Sequence, residues 1–331
     1  MTIMHSFTSG LRRVLGSPAL IFWLFFASLV IALPLTAAMR DILKASIGGS
    51  LVDQNLRRTF DLDWYGEFRA NASGLAETFS PAVVGILPVL HDLERLVNGE
   101  ILSVNRIVLA AGILFLIAWA FFGGGIIARY ARPEEPRNRA DFFSVSARLF
   151  FRFLRLLILS LLVYWAVFRW VAEPLRTLMD RLMRDITVEF TALAYTVLYY
   201  LVVLLLLMLG SMAMDYAKIS MVVEDRHSAV LAFIHGLRFV FAKPLRTAGL
   251  YLLLALVGLA LLLAYGAVAP GASQSRDITL ILAFLISQLF LLARLILKLW
   301  FLAGQTVLYQ SATEARQAET PPAPAPVLAT P

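Results

Sequence analysis

Apolar runs long enough to cross a bilayer recur six times along the chain. A helical span needs roughly 20 predominantly apolar residues to cover about 30 Å of hydrocarbon. Pro18–Met39, Ile107–Ala128, Phe150–Ala172, Thr191–Met212, Thr247–Val268 and Ile278–Phe301 meet that length. The third is interrupted by Arg152, Arg155 and Arg169, which leave Leu156–Phe168 as its unbroken stretch. Arginines near the ends of a span reach the interfaces along their own methylenes, so the segment still counts as a span. Arg12-Arg13, an apolar run and Thr36-Ala37-Ala38 imitate a secretory signal. That run is too long for a cleaved h-region and predicts a retained signal-anchor.

Charge between the runs gives a direction. Arg12 and Arg13 precede the first span; Arg129, Arg132, Arg137, Arg139 and Arg148 separate the second and third; Lys218, Arg226, Arg238, Lys243 and Arg246 separate the fourth and fifth. Basic loops stay cytoplasmic, so six spans place both termini in the cytoplasm. The opposite side receives Arg40–Arg106, where nine acidic residues outweigh seven basic ones, then Glu173–Glu189 and Pro270–Asp277. Composition agrees: of 331 residues 60% are apolar and 15% charged, and none is cysteine. Mean hydropathy is +0.78. Such a chain has lipid as its solvent, and thiol-ligated metal sites and disulfide scaffolds are excluded. The net charge of +7 is orientation signal on this topology, so nucleic acid is not an expected partner.

The segments also repeat. Phe7-x-x-Gly10-Leu11-Arg12-x-Val14-x-x-x-Pro18 before the first span matches Phe233-x-x-Gly236-Leu237-Arg238-x-Val240-x-x-x-Pro244 before the fifth at six positions. A weaker copy, Phe143-x-x-Ser146-Ala147-Arg148-x-Phe150, precedes the third, with Leu154 in place of the proline. The even-numbered spans end alike, in Gly124-Gly125-x4-Tyr130, Gly210-Ser211-x4-Tyr216 and Ala303-Gly304-x4-Tyr309. The expected unit is an amphipathic helix in the cytoplasmic interface, a span outward, an outer loop and a span back, used three times. Its copies cover about 1–130, 140–216 and 226–309. Proline suits the first turn of a span, adjacent small residues suit close helix approach, and tyrosine suits the interface. The fold class is thus all-α, a six-span bundle in one membrane domain over 1–317, followed by a disordered Pro/Ala-rich tail over 318–331.

Only the first unit carries a large outer segment, about 40–106. Asp61-Leu62-Asp63-Trp64 predicts a helix start, with Trp64, Phe68 and Leu75 on one face, and Ser80-Pro81 opens a second helix over Ala82–Val97. The segment either packs over the outer ends of the spans or caps a substrate site. Catalytic patterns are missing from the sequence. His5, His91, His227 and His235 are scattered, His91-Asp92-x-Glu94 is an ordinary pattern for a solvated helix, and Gly123-Gly124-Gly125 belongs to the repeat instead of a phosphate loop. No catalytic, cofactor or metal residue is therefore expected. Asn71-Ala72-Ser73 is a glycosylation sequon that would matter only in a eukaryote.

The stretch Asp215-Tyr216-Ala217-Lys218-Ile219-x-x-Val222-Val223-Glu224-Asp225-Arg226-x-Ser228-Ala229, with Phe142–Leu156 and Phe233–Pro244, resembles an uncharacterised group of bacterial polytopic membrane proteins. More distantly, the Glu224–Ser228 turn and the helix after it resemble the membrane domain found beside some glycerophosphodiester phosphodiesterases, whose catalytic domain has no counterpart here. The resemblance implies a bacterial inner membrane and a helical fold, with no activity attached. Asp215, Tyr216, Lys218, Glu224, Asp225 and Arg226 form its candidate structural polar cluster.

Arg294 and Lys298 stand apart, since both fall inside the sixth span at i,i+4 and share a helix face. Intramembrane charge costs at least a few kcal/mol per residue and usually faces a bundle interior or a wet cavity. Counted from Asp277 at the outer edge, Arg294 lies about 25 Å down, close to the cytoplasmic interface; aligning the repeats instead puts it level with Leu201 and Phe115, with Asp215 about 21 Å away along the membrane normal. Water, Gln288, Tyr199, Tyr200 or an anionic ligand are then the available partners; snorkelling to the interface is the plainer account. Two functional classes follow. One is a non-enzymatic scaffold, assembly factor or accessory subunit that meets other membrane proteins or itself. The other is a transporter or lipid-handling protein whose cavity shows Arg294 and Lys298 to an anionic head group or small anion.

Overall fold

The computed structural model describes residues 2–48, 61–79, 106–133, 139–184, 188–269 and 277–319. Among them there is no strand, and six helices are long and apolar enough to cross a membrane: Pro18–Ile47, Arg106–Ala131, Asp141–Met183, Glu189–Val223, Pro244–Val268 and Ile281–Ala315. The chain is an all-α, multi-pass membrane protein. In order, the elements are α1 (Ile3–Leu15), α2 (Pro18–Ile47), α3 (Leu62–Asn71), α4 (Arg106–Ala131), α5 (Arg139–Val167), α6 (Glu173–Met183), α7 (Glu189–Val223), α8 (Ala229–Ala242), α9 (Pro244–Val268) and α10 (Asp277–Glu319). A π-helical turn, Phe168–Ala172, joins α5 to α6 so that the two run as one rod.

Two of the three expected entry helices are separate elements. α1 stops at Gly16, whose N–H bonds Arg12 O at 2.9 Å, and α2 restarts with Pro18 in its first turn. α8 is capped by Ser228, whose side chain accepts from Leu231 N at 3.4 Å, and α9 restarts with Pro244 in its first turn. The middle copy differs, because α5 continues unbroken from Arg139 past Leu154 into the span. Without proline at 154 no backbone N–H is missing and no ring collides with the preceding turn, so the helix has no reason to stop.

Each entry segment docks through a small residue on the small-residue end of a returning span. Gly10 of α1 lies so close to α10 that a methyl group on it would meet Gly304 Cα at 2.7 Å. Gly236 of α8 lies against α7, where a methyl would meet Ala217 N at 2.8 Å. Ser146 of α5 lies against Gly125 of α4, beside Phe142. α1 thus packs on α10, the start of α5 on α4 and α8 on α7, and the α1–α10 contact joins the two ends of the chain into a ring. Trp300 completes the α1–α10 closure by donating Nε1–H to Phe7 O at 2.8 Å, with the two rings 4.4 Å apart.

The main core follows this ring. In α4 the buried positions run from Ala120 to Tyr130, in α2 they are Ile21 and Leu24, and in α9 they are Thr247, Leu250 and Leu254. All lie in the half of the helix nearest the face that bears α1 and α8, called here the entry face. Tyr130, Tyr216 and Tyr309, expected at the interface, are instead among the largest fully buried side chains. The opposite halves present Val30, Leu33, Ile107, Leu114, Leu259, Leu263, Phe284 and Leu289 without protein cover, which suits lipid contact.

At the far end, Asp61 caps α3 by accepting from Asp63 N and Trp64 N at 3.0 Å. Trp64, Phe68 and Ala76 pack against Ile42, Leu43 and Ile47 of α2, and Leu75 is buried too. The expected helix over Ala82–Val97, with His91, Asp92 and Glu94, lies outside the described residues. α10 extends to Glu319, two residues into the stretch taken as tail, and the rest of that stretch also lies outside them.

Candidate functional site

The strongest anomaly in the sequence leads to a cavity of about 380 Å³ among α4, α7, α9 and α10, lined by Trp119, Asp215, Lys218, Tyr251, Arg294 and Lys298 among others. Each helix supplies its group from the face turned away from the ring contacts. On α7, Met212, Ala213, Met214, Tyr216 and Ala217 are buried, while Asp215 and Lys218 are half-buried. On α10, Leu299 and Trp300 are buried, while Arg294 and Lys298 are exposed.

Lys218 donates to Asp215 Oδ1 at 2.8 Å, one helical turn apart, so these two charges offset each other. Lys298 Nζ sits over the Trp119 ring, 3.6 Å from its centroid, and 5.6 Å from that of Phe115. The Arg294 guanidinium lies 5.8 Å from the Phe290 ring. Aromatic faces stabilise a cation by their quadrupole without neutralising its charge. No ion pair to a carboxylate is present for Arg294 or Lys298 among the described residues. Tyr251 reaches Ser211 Oγ at 3.4 Å, which adds hydroxyl groups to the same wall.

Asp215 therefore shares a chamber with Arg294 and Lys298, although its carboxylate bonds Lys218. The shared lining goes against the expectation, drawn from aligning the repeats, that Asp215 lies too far from Arg294 to meet it. The other suggested partners lie elsewhere: Tyr199 packs with Ala172, Met179, Val203 and Leu207 and meets the Tyr200 ring edge-on, and Gln288 Oε1 is buried without a hydrogen bond among the described residues.

The rest of the polar cluster forms a second, separate network at the α7–α8 turn. Asp225 takes a left-handed conformation there, φ 51°, which aspartate tolerates better than most residues. Its carboxylate accepts from Arg152 of α5 at 2.6 Å, and Arg152 also contacts His227 Nε2 at 2.6 Å. The Arg152 guanidinium holds the Asp225 carboxyl below the usual carboxylate range. Arg226 donates Nε–H to Glu224 Oε2 at 2.7 Å, and Tyr309 of α10 donates to Glu224 Oε1. His235 of α8 lies 2.9 Å from the Tyr309 hydroxyl and 3.7 Å from Glu224. Tyr216 joins only through its ring, which stacks near Tyr309 at 6.3 Å with Phe239 beside both. These contacts tie α5, α7, α8 and α10 together at the turn after α7.

Sequence reasoning missed two groups. Arg13 donates to Tyr130 O and to Gln310 Oε1, and Gln310 donates to Ala131 O at 2.8 Å, so carbonyls at the end of α4 are met by side chains of α1 and α10. Trp119 is the other: one aromatic in an apolar run carries no signal until Lys298 lies on it. Among the described residues no three metal-ligating side chains come together. No known protein family, curated protein or solved structure matches the chain, so the cavity is interpreted from its own chemistry.

Proposed function

We propose that the protein binds the head group of an anionic membrane lipid in this cavity, as a lipid-handling component of a bacterial inner membrane with both termini in the cytoplasm. One observation carries the reading: Arg294 and Lys298 open on a cavity among the spans and, among the described residues, neither makes an ion pair, because Asp215, the carboxylate in that lining, is held by Lys218. A cation kept in a low-dielectric site costs several kcal/mol unless compensated, and an anionic head group provides the compensation. The uncovered apolar halves of α4, α9 and α10 leave room for acyl chains alongside the head group.

The topology supports the cytoplasmic leaflet as the source. Asp215 lies about 12 Å from the end of α7, counted at 1.5 Å per residue, and the basic segments mark that end as the cytoplasmic one. The docking of α1 and α8 supports the reading too, since neither helix supplies a residue to the lining of this chamber. A purely scaffolding role has no observation of its own in its favour among the described residues.

Native mass spectrometry of the protein extracted in mild detergent tests this. An anionic lipid is expected to remain bound and to be lost from the Arg294→Leu/Lys298→Leu variant while that variant stays folded. Retention of the same lipid by the variant, or co-purification of zwitterionic lipid alone, would overturn the reading.

A further inference from the structure

Resting on the lipid-binding reading, we infer that the preferred head group is a phosphomonoester, a dianion with three terminal oxygens, over a phosphodiester with one charge and two. The inference comes from counting the charges that face the cavity. Lys218 and Asp215 offset each other at 2.8 Å. Arg294 and Lys298 remain, one positive charge each, placed over the rings of Phe290 and Trp119.

A monoanion would compensate one of these and leave the other in a cavity walled by Trp119, Leu297, Phe301 and Leu302. A phosphomonoester carries between −1.5 and −2 near neutral pH and compensates both. Donor geometry points the same way. Arg294 offers a planar fork of N–H groups and Lys298 three rotatable donors. Set one helical turn apart on a single face, they can approach one tetrahedral group from two sides and use all three of its terminal oxygens. Asp215 faces the same space and opposes any anion there, which directs the phosphate toward the α10 wall and away from Lys218.

Size limits what else enters. A volume of about 380 Å³ lies at the low end for small-ligand sites, so a compact head group fits while its chains remain among the uncovered apolar halves of the spans. The chemistry admits two sources, a lipid phosphomonoester or free inorganic phosphate.

The test uses the full chain in detergent, with binding followed by the shift in thermal unfolding on titration. Three probes are compared: dioctanoyl phosphatidic acid, dioctanoyl phosphatidylglycerol and inorganic phosphate. Phosphatidic acid is expected to bind at least about tenfold tighter than phosphatidylglycerol, the equivalent of one more charge pair. That preference should vanish in Arg294→Gln/Lys298→Gln and survive in the charge-preserving Arg294→Lys/Lys298→Arg, which separates binding from folding. Inorganic phosphate matching phosphatidic acid would support the phosphomonoester chemistry and make the soluble ion the source. Equal binding of the two lipids would overturn the dianion preference and leave the anionic-lipid reading standing. Binding of none of the three probes would overturn both.

Discussion

Gly10 and Gly236 each sit where a single methyl group would collide with another helix's backbone, which cannot rotate aside as a side chain can. Gly112 of α4 has nothing within 4 Å of the same added atom. Gly10→Ala and Gly236→Ala should therefore each lower stability by about 1–3 kcal/mol, the cost of overpacking. Gly112→Ala should raise it slightly, because alanine suits a helix interior better than glycine by roughly 0.5–1 kcal/mol. Thermal unfolding in detergent micelles measures all three, and equal shifts would remove the docking argument. Glu224 makes a residue-scale prediction in pH. Its burial pushes the carboxyl pKa up, but hydrogen bonds from Tyr309 and Arg226, with the charges of Arg226 and His235, bring it below the ordinary value. A carboxylate depressed on folding gives stability that is complete above the ordinary carboxylate range and is lost as pH falls through its lowered value. Glu224→Gln should flatten that acid-side loss and cost about 1–3 kcal/mol at neutral pH; an unchanged pH profile of the melting temperature would count against the network.

At the scale of elements, proline decides whether an entry segment is a separate helix. Pro18 and Pro244 start new helices after a break, whereas Leu154 lies within α5. Leu154→Pro should not reproduce the separated arrangement, because Leu149, Phe153 and Leu156 are already packed in the core as one rod. It should cost about 3 kcal/mol or more, the usual penalty for proline in a helix interior, visible as a lower melting temperature by circular dichroism. The six spans were legible in the sequence because an apolar run of span length needs no knowledge of its neighbours. Asp61 was legible as a cap for the same local reason. Arg13 and Arg152 were not, since any arginine near the end of a span reads as orientation or snorkelling. Only the fold brings Tyr130 O to Arg13 and Asp225 to Arg152. The cavity was half legible: Arg294 and Lys298 are conspicuous in an apolar run, while Trp119 and Tyr251 look like any lipid-facing aromatic until four helices meet.

At the scale of the whole molecule, orientation is the property most easily checked, because the chain has no native cysteine to interfere. Gly66 in α3 is open to space on the side opposite the entry face, and Glu314 lies near the other end of α10. A membrane-impermeant maleimide added to intact spheroplasts should label Gly66→Cys at once and Glu314→Cys only after permeabilisation. The reverse pattern would invert the topology.

The α1–α10 closure also sets an order of events during synthesis. Phe7 and Trp300 are separated by 293 positions, so α1 has left the ribosome long before its docking surface exists. Until then its Ile3, Phe7 and Leu11 have no protein to cover them, and the headgroup region is the only shelter available to an amphipathic segment. The α4 end that Arg13 and Gln310 jointly satisfy must wait for the same moment, because Gln310 arrives later still. A product cut short before α10 therefore keeps an undocked α1 and leaves the Ala131 carbonyl of α4 without the Gln310 amide that meets it in the complete fold.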